Sequence, residues 1–201
     1  MFYKALMLCA GVTVLAACGA PNQGSSDSDV ADVGVVPPES APPPDATARV
    51  DLAATRGHTA NGLLTLIERA NGVAVTGSIR GLDPDGTFAF HVHENGDCSA
   101  PDASSAGEHF NPTGQPHGGP DTTPRHLGDM ANIEANDEGT AEVDVTLDDV
   151  ALTGAEAASL ANRAIVVHAN PDDYTTQPSG GSGDRIACGV ISMGTMATMS
   201  H

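Results

Sequence analysis

The chain has 201 residues, 40% of them hydrophobic and 17% charged, enough for one domain with a core and tails but too little for a large multidomain enzyme. Aspartate and glutamate outnumber lysine and arginine by 26 to 8, and the resulting charge of −18 repels phosphate backbones and anionic headgroups, which argues against nucleic-acid binding. With four Phe, two Tyr and no Trp there is little to stack bases or line an aromatic cavity, so the composition points to a small substrate.

Residues 1–17 set Phe2, Tyr3 and Lys4 before an apolar run from Ala5 to Ala17 that is too short to span a bilayer, the pattern of a signal peptide. Leu15-Ala16-Ala17-Cys18 resembles a bacterial lipobox, which predicts cleavage before Cys18 and lipidation of that cysteine; an ordinary secretory signal is the alternative. The expected location is then outside the cytoplasm, facing the periplasm or cell exterior, with a lipid anchor in the membrane. Residues 18–46 carry serines, acids without a base and the run Pro42-Pro43-Pro44, so they are expected to form a disordered tether. Cys9 leaves with the leader, and Cys98 and Cys188 remain. An even pair in an exported chain reads as a disulfide, closing a loop worth about 4–5 kcal/mol on the chain-entropy model.

From residue 47 to 194 the pattern is all-β: short β-branched runs bounded by Gly, Asn and Asp. Eight strands are expected, at Arg49–Thr55, Gly62–Glu68, Val73–Arg80, Thr87–His93, Ala131–Ala135, Thr140–Thr146, Arg163–His168 and Ile186–Ile191, giving a sandwich or barrel. Asn71-Gly72 reads as a hairpin turn and Ala155–Leu160 as a turn or two of helix. Residues 96–128 show no sustained period and are long for a connection, so something other than apolar packing must hold them. Residues 195–201 are expected to be a flexible tail.

The histidines supply a reason for that loop to be ordered. In Phe90-His91-Val92-His93 both imidazoles leave one face of a strand while Phe90 and Val92 enter the core. His168 ends another strand and can add a third nitrogen. His109, His117, His126 and Asp129 give three nitrogens and a carboxylate, the donor set of a closed tetrahedral zinc site, whereas an all-imidazole site favours copper. Any one of these is most simply a hydrogen-bonded histidine. Six of the eight histidines gathered on one strand pair and one unpatterned loop call for a common cause; His58 and His201 read as solvated.

The blocks Ala89-Phe90-His91-Val92-His93-Glu94, Gly107-Glu108-His109-Phe110-Asn111-Pro112, His117-Gly118-Gly119-Pro120, Arg125-His126-Leu127-Gly128-Asp129, Val166-Val167-His168 and Asp184-Arg185-Ile186-Ala187-Cys188-Gly189-Val190 resemble the copper,zinc superoxide dismutases. The resemblance implies an eight-stranded Greek-key barrel with the metal site outside it under two long loops. It implies copper on His91, His93, His109 and His168 and zinc on His109, His117, His126 and Asp129, so that His109 is shared as an imidazolate. It further implies that Asp172 links His91 to His117, that Cys98 and Cys188 form the family disulfide with the bacterial placement of the first cysteine, and that Arg185 lines the channel to copper. The implied reaction converts superoxide to oxygen and hydrogen peroxide, with His109 and Arg185 as catalytic residues. One departure concerns steering: the family often carries lysine before this arginine, yet residues 175–183 hold no base and Lys4 is the chain's only lysine.

Two other readings compete. A metallo-β-lactamase-like zinc hydrolase also opens with His-x-His, but that motif continues x-Asp-His, and Glu94-Asn95-Gly96-Asp97-Cys98 follows here. A non-catalytic copper-delivery lipoprotein would draw on Met193, Met196, Met199 and His201, whose thioethers suit Cu(I). Monomer and homodimer are both compatible with the sequence.

Overall fold

A computed structural model describes residues 46–154 and 156–194. The predicted signal peptide, the lipobox, the tether up to residue 45 and the whole of the tail at 195–201 therefore lie outside the described residues, Met196, Met199 and His201 with them. Among the described residues no helix is long and apolar enough to cross a membrane.

Among the described residues ten antiparallel strands form the body: β1 Thr47–Ala54, β2 Asn61–Arg69, β3 Gly72–Arg80, β4 Thr87–Phe88, β5 Phe90–His93, β6 Ile133–Glu134, β7 Thr140–Asp148, β8 Ala164–His168, β9 Arg185–Val190 and β10 Ser192–Met193. The main sheet runs β5-β8-β9-β1-β2-β3-β7, with β10 also on β1. Alternation dictates which face is buried. Ala48, Val50 and Leu52 of β1, Leu64 and Leu66 of β2, Val75 and Ile79 of β3, and Ala141, Val143 and Leu147 of β7 all enter one core. β4 pairs with β6 and runs on through Ala89 into β5, while β6 turns through residues 135–139 into β7. That patch joins the two ends of the curled sheet into the expected Greek-key barrel, since β3 lies beside β7 although β4, β5 and β6 intervene in sequence.

The differences from the sequence reading have local causes. The strand expected at Thr87–His93 breaks at Ala89, whose N–H donates to the Asn170 carbonyl and whose carbonyl accepts from His168; here the chain changes partner from β6 to β8. The strand expected at Ala131–Ala135 shrinks to two residues because Asn132 is engaged with the loop after β8. The β2–β3 hairpin turns at Ala70-Asn71, one residue early, and Gly72 begins β3 because a Cβ there would lie 2.0 Å from the Leu147 carbonyl oxygen. The expected helical turn is a 3₁₀ turn at Glu156–Ala158.

β8 is buried along its whole length and carries the site's foundation. Ile165 and Val167 face the barrel core, whereas Ala164 and Val166 face a second apolar cluster with Ala103, Ala106 and Cys188. That outer cluster is roofed by the loop after β5, which the Cys98–Cys188 disulfide fastens to β9 across a Cα separation of 5.8 Å. A register shift between Val167 and His168 then sets His168 opposite Arg185 at the strand end.

The alternation in β2 is directly testable. Leu66 is fully buried and Leu63, three residues earlier, is 42% exposed. Leu66→Ala should cost about 2–5 kcal/mol of unfolding free energy, and Leu63→Ala less than about 1 kcal/mol, in denaturant titrations. Equal costs would show that the strand faces are assigned wrongly.

Candidate metal centre

The site is laid on the outer face of β5 by a triangle of backbone hydrogen bonds. Val92 N–H donates to the Gly128 carbonyl at 2.9 Å, Gly128 N–H to the Phe110 carbonyl at 2.9 Å, and Phe110 N–H to the Val92 carbonyl at 2.8 Å. Only glycine fits at 128, since a Cβ would stand 2.4 Å from the Val92 oxygen. The triangle sets His109 opposite His93 and Asp129 opposite His91. Arg163 braces it from outside, with its guanidinium 4.6 Å from the centre of the Phe110 ring.

Two groups of buried side chains result. His91, His93, His109 and His168 converge, as do His109, His117, His126 and Asp129, each with donor atoms within 4.8 Å of one another. The structure thus brings together every residue the sequence proposed as a ligand, and His109 belongs to both groups.

The hydrogen bonds fix which nitrogen of each ring is left over. His91 Nε2–H donates to Asp172 Oδ2 at 2.8 Å and His117 Nε2–H to Asp172 Oδ1 at 2.9 Å. His93 Nδ1–H donates to the Gly107 carbonyl at 2.9 Å, and His168 Nδ1–H lies near the Gly183 carbonyl at 3.3 Å. Nε2 of His93 and of His168 are then both lone-pair acceptors, yet they face each other at 3.3 Å. His91 Nδ1, His109 Nε2, His117 Nδ1 and His126 Nδ1 are buried without a hydrogen-bond partner. Asp129 Oδ1 lies 2.9, 3.1 and 3.2 Å from Nδ1 of His109, His117 and His126. Converging lone pairs with no proton between them are costly when buried, and cations resolve them. The donor sets fit copper on the four-imidazole side and zinc on the side with Asp129.

Electrostatics reinforce the division. Burial holds His109 down to about 4 and His168 to about 3, with neighbouring histidines adding to the effect, and burial likewise keeps His93 well below the usual histidine range. Neutral imidazole is the form that ligates metals. For His117 burial also disfavours the charge, but Asp129 and Asp172 outweigh it and raise the ring to about 9. A cation held by Asp129 would take the place of that proton. Both aspartates stay well below the usual carboxylate range although burial opposes it, because histidine N–H groups point at them.

Several residues that sequence reasoning missed hold this arrangement. Asn132 accepts from Asp172 N–H and donates to the Asp172 carbonyl, and Asn132 N–H donates to the Tyr174 hydroxyl. The Gln177 amide accepts from His117 N–H and donates to the His117 carbonyl, both at 2.9 Å. Each is a contact between distant parts of the chain, and no local spacing announces it. The Arg185 guanidinium is held by two carbonyls: Nη1 donates to that of Ala103 at 2.7 Å and Nη2 to that of Gly107 at 2.6 Å, the oxygen that also orients His93.

The model of the copper/zinc superoxide dismutase family matches residues 60–191. Two superoxide dismutases [Cu-Zn] of Aquifex aeolicus (strain VF5) are 42% identical over 73% of this chain and 87% of theirs, and 41% identical over 65% and 79%. Among solved structures, a double mutant of a superoxide-dismutase-like protein from Bacillus subtilis superposes with TM-score 0.66 at 34% identity, covering 72% of this chain and 96% of that one. The clock protein EA4 does so with TM-score 0.66 at 35% identity, covering 77% and 99%.

Gly180 separates the role of Asp172 from backbone strain. A Cβ at Gly180 would stand 1.7 Å from Asp172 Oδ1, whereas one at Gly181, with the same φ of +66°, would meet only Asp173 Oδ2 at 3.8 Å. Gly180→Ala should weaken copper and zinc binding about 10- to 100-fold in competition titrations, with Gly181→Ala showing much the smaller loss. Equal behaviour of the two variants would remove Asp172 from metal retention.

Proposed function

The chain belongs to the copper/zinc superoxide dismutase family, and from that membership we propose that His91, His93, His109 and His168 hold copper, that His109, His117, His126 and Asp129 hold zinc, and that the His109 ring bridges the two as imidazolate. The protein is a superoxide dismutase, an oxidoreductase of the copper- and zinc-using kind. The observation that carries the ligand assignment is the set of buried ring nitrogens with no hydrogen-bond partner, all in the two groups.

Bound copper supplies electron exchange between its +2 and +1 states, so that one superoxide leaves as oxygen and a second, with two protons, as hydrogen peroxide. The chain's own groups do the rest. Arg185 offers a guanidinium to an anion approaching a protein of charge −18, and its two carbonyl anchors keep it in one place. His109 can hold a proton at Nε2 on the copper side while Nδ1 stays beside Asp129. Asp172 accepts from His91 and His117, so each presents its Nδ1. The zinc-side residues order a loop that has few apolar side chains of its own to bury.

The delivery reading uses the same four imidazoles but gives no reason for a clamped guanidinium. It also relies on Met196, Met199 and His201, outside the described residues. For location, residues 1–17 act as a signal peptide, Cys18 carries the lipid and residues 18–46 tether the domain outside the cytoplasm. The support is the apolar run and Leu15-Ala16-Ala17-Cys18.

With both metals loaded, removal of copper alone should abolish superoxide consumption. Arg185→Ala should lower kcat/KM about tenfold at unchanged copper and zinc content. Tight copper binding without superoxide consumption would favour delivery instead. In a lipoprotein-processing bacterium fed labelled palmitate, the wild-type chain should take up label and sediment with membranes, and Cys18→Ser should do neither. A wild-type chain that stayed unlabelled would leave an ordinary secretory leader.

A further inference from the structure

The four histidines on the copper side are not held equally. His91 and His93 donate to Asp172 and to the Gly107 carbonyl at 2.8 and 2.9 Å, but His168 reaches the Gly183 carbonyl only at 3.3 Å. A register shift just before His168 sets it opposite Arg185 at the irregular end of the β8–β9 ladder. With its carbonyl contact the longest of the three, the His168 ring has a second partner in the structure. The Ser182 hydroxyl lies 3.2 Å from His168 Nδ1.

Ser182 would pass in the sequence for a solvated loop serine, since Gly180, Gly181 and Gly183 surround it. It is instead 1% exposed and carries the only side chain in residues 180–183. Its backbone is tied to the exit of β8, where Asn170 N–H donates to the Ser182 carbonyl at 2.9 Å. The hydroxyl is thus delivered to His168 by a segment anchored two residues beyond that histidine. Nδ1–H of His168 is shared between two acceptors, one a backbone carbonyl that any sequence supplies and one a side chain that this sequence supplies.

We propose that Ser182 is a positioning residue for copper binding: its hydroxyl accepts from His168 Nδ1–H and holds the ring so that Nε2 faces His93 and the rest of the copper side. The proposal rests on His168 being a copper ligand. It predicts a selective effect, because Ser182 touches no zinc-side residue in the hydrogen bonds above, whereas Asp172 touches both sides.

The test is Ser182→Ala in the full chain loaded with zinc, titrated with Cu(II) against a competing chelator and examined by electron paramagnetic resonance. One lost hydrogen bond to a ligand should weaken copper binding about two- to tenfold and alter the copper spectrum. Zinc affinity, measured in the same way, should stay within about twofold, which also reports that the loops have folded. An unchanged copper affinity and spectrum would overturn the proposal, and so would zinc and copper affinities falling together, which would mark Ser182 as packing alone. If the wild-type chain fails to hold copper, the ligand assignment of His168 falls first and this inference falls with it.

Discussion

A single carboxylate, that of Asp172, spans the two halves of the centre, with one oxygen on His91 and the other on His117. His91 belongs to a barrel strand and His117 to the long loop after it, so the contact joins the most regular part of the chain to the least regular. A buried carboxylate is tolerated only when its lone pairs are used. Here Tyr174 N–H adds a third donor, at 2.6 Å on Oδ1, and Asn132 grips the backbone of the same residue from β6's approach. The group is stable as an anion in this setting, and as an anion it makes both histidines donate through Nε2 and aim Nδ1 elsewhere. The tautomers of His91 and His117 follow from that one placement.

Around this contact the molecule is divided between two kinds of cohesion. The barrel is held by alternating strands whose inward side chains form one continuous apolar cluster, and nothing in it requires a metal. The loops have little to bury. They are held by the disulfide, by the small cluster on the back of β8, by backbone bonds at Gly128 and Phe110 and by polar side chains converging on the centre. Metal binding to preformed barrel histidines and loop histidines together converts its free energy into order of the loop, which is why such a polar segment can be long.

The sequence made legible what depends on period and donor type. Alternation at Val73-Ala74-Val75 and at Phe90-His91-Val92-His93 located strands and faces, and the count of histidines on a loop without period exposed both ligand groups. The pairing of Cys98 with Cys188 followed from export and number. What stayed hidden were contacts between residues far apart whose identities are common in any loop. Asn132 fell inside an expected strand, and Gln177 and Ser182 lay in a loop marked only by its lack of a base, because a hydrogen bond to a residue 14 to 60 positions away leaves no local trace. Ala89 was hidden for a related reason: its side chain fits a strand, but its backbone changes partner there.

Arg185 shows how the two kinds of cohesion meet in function. Its backbone lies in β9, and Thr55 of the neighbouring connection donates to its carbonyl at 2.7 Å, so the barrel fixes its base. Its head is fixed by the loop, through carbonyls of Ala103 and Gly107, and the disulfide ties that same loop to β9 three residues on. Because the Gly107 oxygen serves both Arg185 and His93, a shift of the loop that loosened the guanidinium would also release a copper-side histidine. The Gly107 carbonyl thus serves both the guanidinium proposed to attract the anion and the His93 ring proposed to hold copper, so a movement of that loop disturbs the two together.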